Sequence, residues 1–159
     1  MLTAARLFQS TTFPLGTSDA KEDMYMAELT YSKVKYSTQY GTTETHNILT
    51  QFLERYVDSE KLKRYTLMWN SFAIKPKCLP IEAIQDMAIP LDKEVFFYDE
   101  REKLLYGTTM EDVVYFVKNL EPWDRVDACI FDGDMNWVIA VTHEDAILCL
   151  GDINIGKSE

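Results

Sequence analysis

Three short β-rich stretches fill the C-terminal third of the chain, over 126–132, 136–143 and 146–150. The first two are joined by Asp132-Gly133-Asp134-Met135-Asn136 and the last two by His143-Glu144-Asp145. Small, polar connections of this kind reverse a chain between antiparallel strands, so the segment reads as a β-meander. Just upstream, Met110, Val113, Val114, Val117 and Leu120 share one helical face behind a Thr108-x-x-Glu111 capping box, and Pro122 stops the helix. Helices interleaved with antiparallel-type strands, without βαβ units that carry glycine-rich first turns, predict an α+β fold.

The rest of the chain is read with the same rules. Ile48, Leu49, Phe52, Leu53 and Tyr56 recur at helical spacing, predicting a helix over 44–57 with Thr42 and Thr43 as caps. The stretch 64–74 reads as a strand or strand pair, Pro80 as the first residue of a short helix carrying Ile81, Ile84 and Met87, and Pro90 as its end. Residues 94–99 (EVFFYD) form a buried-strand run with 103–106 as hairpin partner. Residues 1–40 read as an arm or strands, with partial alternation over 24–36, and 152–159 as a frayed tail. The expectation is one domain over 1–159, an antiparallel sheet packed against two or three helices. With 159 residues, 47% of them hydrophobic, such a core needs no disulfide or metal staple. Cys78, Cys129 and Cys149 are widely spaced and odd in number, which fits reduced thiols in a cytoplasmic protein. The N-terminus lacks an apolar signal core, and no apolar run is long enough to span a bilayer.

Charge is divided unevenly. Residues 82–159 hold 18 acidic against 6 basic side chains, while 1–81 hold 8 against 10. A negative, aromatic-studded surface repels phosphates and attracts basic proteins. The expected partner is therefore a basic protein, with neither nucleic acid nor membrane. Candidate contacts are Asp99, Glu100, Glu102, Glu121, Asp124, Asp127, Asp132, Asp134, Glu144 and Asp145, with Trp123 and Tyr106 as anchors. Trp137 shares a strand face with Ile139 and Val141 and fits the core equally well.

No motif demands catalysis, a cofactor or a metal. Asp132 to Asn136 opens like a calcium loop, but Trp137 stands where glycine is needed and His143 where the closing glutamate is needed. Adjacent residues in His143-Glu144-Asp145 point apart, so they make a poor base–carboxylate pair. His46 is the other histidine. Cys129 and Cys149 lie in apolar runs, which raise a thiol pKa. Lys61, Lys63, Arg64, Lys75 and Lys77, interleaved with Tyr65, Trp69 and Phe72, outline a single-strand-binding face, which the overall charge opposes.

The stretch from Trp123-Asp124 to Asn136-Trp137-Val138-Ile139-Ala140-Val141-Thr142-His143-Glu144-Asp145, in a small acidic chain, resembles the bacterial immunity proteins of contact-dependent growth inhibition and related toxin systems. The resemblance implies a role without site residues: binding a cognate toxin, often a basic nuclease, and occluding its active surface. Three alternatives stay open: a phage-type acidic inhibitor or DNA mimic, a small hydrolase using His46 or His143, and a single-strand nucleic-acid binder.

Overall fold

The computed structural model describes residues 33–64 and 67–156, and all of these from Val34 onward belong to one compact unit. Seven strands form a single sheet: β1 (Thr38–Gln39), β2 (Lys77–Pro80), β3 (Glu94–Asp99), β4 (Leu104–Thr109), β5 (Ala128–Phe131), β6 (Trp137–Val141) and β7 (Ala146–Gly151). Their order is β1-β4-β3-β5-β6-β7-β2, and every neighbouring pair is antiparallel. Among the described residues the helices are α1 (Thr42–Tyr56) and α2 (Met110–Lys118), supplemented by 3-10 segments at Met68–Ser71 and Ile81–Asp86. The fold is α+β.

The expected meander is present as β5-β6-β7, with Ile130 opposite Ile139 and Ile139 opposite Cys149. All nine residues of β5 and β6 are buried, because both faces of the sheet are covered. On one face Phe97, Ile130, Trp137, Ile139 and Ile147 pack against α2 and the Ile81–Asp86 segment. On the other, Tyr98, Cys129, Phe131 and Val138 pack against Phe52 and Tyr56 of α1 and against Met68. A strand covered twice presents continuous apolar sequence, which is what ACIF and WVIAV display. Strands β4 and β5 run parallel with β3 between them, so their connection must cross the sheet. That crossing is α2. Gly151, at φ +87°, ends β7 where a Cβ would overlap the Asn136 carbonyl.

Several expectations change. Of the stretch 64–74, the described residues form no strand: the backbone tightens into the Met68–Ser71 turn, and Phe72 forms one isolated bridge with Val57. The reason is local, since the Met68 N–H donates to the Glu100 carboxylate at 2.8 Å and Asn70 N–H to Leu67 O, leaving no ladder. Tyr65 lies outside the described residues. Helix α1 starts at Thr42 after Gly41, without a side-chain cap, so Thr42 and Thr43 belong to its first turn. Pro80 closes β2 and caps the short helix expected after it, which is the 3-10 segment Ile81–Asp86, with Met87 just past its end. The α2 cap shifts by one residue: β4 runs to Thr109, whose hydroxyl accepts from Asp112 N–H, while Thr108 remains in the strand. Residues 152–156 are fastened by Ala88 N–H to Asn154 O, Gly156 N–H to Asp86 O and the Met87–Ile155 bridge, so the tail is not frayed there. Of 1–40, the described end, 33–40, holds buried Val34 and β1; residues 24–32 of the alternating stretch lie outside the described residues.

Phe131 is fully buried and meets Phe52 at 4.7 Å and Phe96 at 5.3 Å between ring centroids. Phe131→Ala is expected to lower stability by about 4 kcal/mol in urea unfolding. A loss below about 1 kcal/mol would contradict its placement at the centre of the α1 layer.

Candidate functional site

The pairing of Asp99 with Leu104 and Ala128, and of Val141 with Ile147, sets one end of the sheet. There the β3–β4 turn (100–103), the approach to β5 (119–127) and the β6–β7 turn (142–145) come together. Left-handed residues allow both turns: Lys103 at φ 56° and Asp145 at φ 57°. Most of the acidic candidates lie at this end. They divide into a buried set and an exposed set.

Asp127 is the centre of the buried set, at 0% exposure. Its Oδ1 accepts from Trp69 Nε1 at 3.1 Å, His143 N at 3.2 Å and His143 Nδ1 at 2.8 Å. Its Oδ2 receives Arg101 Nε at 2.7 Å and Arg101 Nη2 at 2.6 Å. Burial pushes this carboxyl up, but the His143 and Arg101 bonds outweigh it and hold the group below the usual carboxylate range. An ionised acceptor places the imidazole proton on Nδ1. The indole of Trp69 lies against the His143 ring, with centroids 6.0 Å apart.

Glu100 is 8% exposed beside this group and its N–H donates to Asp127 O at 2.9 Å. Its Oε2 accepts from Met68 N–H and its Oε1 from Cys129 Sγ at 3.2 Å. Burial dominates here and raises the Glu100 carboxyl, with Asp127 adding to the rise. Burial also drives the Cys129 thiol well up, with Glu100 contributing. A buried thiol that donates to a carboxylate is a poor nucleophile.

Four proposed contacts are therefore corrected. Glu100 and Asp127 are enclosed and fully engaged. Tyr106 is 4% exposed, its ring packed on Tyr36 at 4.6 Å. Asp132 is buried and folds its own hairpin turn, accepting from Asn136 N at 2.8 Å and Asn136 Nδ2 at 3.1 Å. Asp134 is exposed in that turn, at the opposite end of the sheet. Trp137 is core. Of the aromatics of the single-strand-binding alternative, Phe72 is buried and Trp69 is tied to Asp127, while Tyr65 lies outside the described residues.

The exposed set is Asp99, Glu102, Glu121, Trp123, Asp124, Glu144 and Asp145, of which Asp99 and Asp124 are half-buried. Asp99 Oδ1 accepts from the N–H groups of Arg101 and Glu102, shaping the β3–β4 turn. Asp124 Oδ2 accepts from Glu121 N at 2.9 Å. Glu121, Asp124 and Asp145 converge, with Glu82, on a cleft of about 390 Å³ between α2 and the Ile81–Asp86 segment. Trp123, 66% exposed, stands next to it in the chain. Glu82 and the exposed Tyr115, one of the aromatics of the acidic half, were not among the candidate contacts. Helical phase is the signal for Tyr115, which lies off the Val113–Val117 face.

His46 is exposed on α1, and the described partners of His143 come from other elements. The Asp127–His143 pair has the orientation of a base and its carboxylate. Among the described residues, no hydroxyl or thiol is hydrogen-bonded to that imidazole, and no cluster of metal-ligating side chains is present. No helix of the described residues is long and apolar enough to cross a membrane.

The two buried carboxylates make opposite predictions. Asp127, held low when folded, stabilises above the ordinary carboxylate range and loses that stabilisation as pH falls through its folded value. Glu100, held high, contributes most below its ordinary value and loses that contribution as pH rises through its folded value. The stability cost of Asp127→Asn should therefore grow from about pH 3 to about pH 7, reaching about 3 kcal/mol. The cost of Glu100→Gln should shrink over the same interval. Urea unfolding of both variants across that range checks the signs, and parallel slopes would refute the assignment.

No curated protein and no solved structure was found to match the chain. Residues 25–158 match a family of unknown function, DUF6756, and the chain belongs to that family.

Proposed function

We propose that this chain is a cytoplasmic inhibitor of the immunity type, which binds a basic toxin domain such as a nuclease and blocks it by electrostatic and steric occlusion. The observation that carries this reading is the convergence of Glu82, Glu121, Asp124 and Asp145 at one end of the sheet, with the exposed Trp123 next to Asp124 in the chain. Exposed carboxylates around an aromatic anchor suit a rim-and-hot-spot interface. The negative field would steer a positively charged partner toward this end, and the rigid sheet beneath it would hold the rim in one geometry. No chemistry by this chain is required. The buried pair of Asp127 and His143 fits the same role, as the clasp that holds the β6–β7 turn in place.

Charge reversal of exposed residues tests the face without disturbing the buried set. Glu121→Lys combined with Glu144→Lys should slow association with the basic domain about tenfold at low ionic strength, with little change in dissociation. Stopped-flow binding measures both rates. The partner is a basic domain recovered from host lysate whose toxicity, on expression, is suppressed by this chain. An unchanged on-rate, or equal protection by the reversed variant, would remove this face from the reading.

A further inference from the structure

The cleft lined by Pro122 and Asp124, the chain neighbours of Trp123, has a composition that narrows the partner chemistry further. Its apolar part is formed by Ile84, Leu120 and Val126, all belonging to or packed against the α2-side core. Its rim carries Glu82, Glu121 and Asp145, all exposed. The carboxyl end of α2 opens beside it; its Tyr115, Phe116 and Val117 carbonyls are taken up by Asn119 and Leu120, and the negative end of the helix dipole still favours a cation. Lys118, on the wall, already supplies one from this chain. Trp123 and Tyr115 stand 66% and 69% exposed, and Tyr115 shares a helix face with Lys118 three residues on.

A cleft of about 390 Å³ with an apolar floor and an acidic rim suits a long side chain with an aliphatic stem and a cationic head. Between the two such side chains, a guanidinium engages carboxylates bidentately and stacks on an aromatic face, whereas an ammonium acts as a point charge. We propose that this cleft is an arginine-docking pocket, in which an arginine of a basic partner lays its stem on Leu120 and Val126. Its guanidinium sits between the rim carboxylates of Glu82 and Asp145, with Trp123 flanking it. This rests on the reading of this end of the sheet as a partner face, and it names the residue type that the face selects.

The test uses the full chain and needs no toxin, so failure to find a partner in lysate and failure of this pocket are separate results. The ¹⁵N-labelled protein is titrated with acetyl-Gly-Arg-Gly-amide and with its Lys and Gln counterparts. The arginine peptide is expected to give saturable shifts at Ile84, Leu120, Val126, Asp145 and the Trp123 indole N–H. The lysine peptide should bind about threefold more weakly or worse, and the glutamine peptide should leave these signals unmoved. Glu82→Gln combined with Asp145→Asn should weaken the arginine response at least about threefold while the remaining spectrum is retained. Asparagine is chosen because it tolerates the left-handed backbone of Asp145. Shifts spread equally over Asp99, Glu102 and Asp134, an equal response to arginine and lysine or glutamine, or an unweakened double variant would each overturn the proposal.

Discussion

One buried carboxylate organises the end of the sheet on which the proposed function depends. Asp127 draws an indole from the 3-10 segment at Met68–Ser71, a guanidinium from the β3–β4 turn, and both a ring and a backbone N–H from the β6–β7 turn. These three segments are far apart in sequence and share no strand pairing with one another. A charge taken out of water needs nearly all its acceptor sites filled, and filling them dictates where each loop lies. Such an arrangement contributes more to uniqueness of structure than to net stability, since desolvation offsets much of the attraction. Asp145 and Glu144 follow His143 directly, so the outer rim inherits its position from the inner clasp.

Glu100 shows how the same end tolerates a second acid. Two ionised carboxylates in one enclosure repel, and the environment separates them by giving each a different set of donors. Asp127 receives a cation and an imidazole. Glu100 receives a backbone N–H and a thiol, weak partners that suit a group biased toward its neutral form. The thiol of Cys129 is consumed in this arrangement, which accounts for its burial without any role in reactivity.

The sheet was legible where burial on both faces leaves continuous apolar runs between turn residues, as in β5, β6 and β7, and where helical periodicity is strong, as in α2. It was illegible where pairing alone holds the strand. Lys77-Cys78-Leu79-Pro80 is mostly exposed and carries a proline, and becomes a strand because β7 lies beside it. The candidate site divides along a similar line. Trp123, Glu121, Asp124 and Asp145 were within reach of sequence because they follow a helix stop or occupy a turn. Asp127 was misplaced on the surface, although it stands two residues before Cys129 and four before Phe131. That period of two assigns it to their buried layer. The partners that make its burial affordable, Trp69 and Arg101, are 58 and 26 residues away, a separation that no local pattern records.

The outermost strand β2 has a consequence for how this molecule can meet others. It is four residues long, is preceded by Lys75-Pro76, and ends in Pro80, whose nitrogen has no hydrogen to donate. Among the described residues its outer margin is unpaired, and it offers a visiting chain too short and too interrupted a row of backbone groups for strand addition, the route by which many sheets recruit peptides or polymerise. Strand addition at this border is thereby disfavoured, and with it edge-to-edge pairing of copies through β2. Association is left to side chains at the strand ends, where sequence can change freely without altering the ladder beneath.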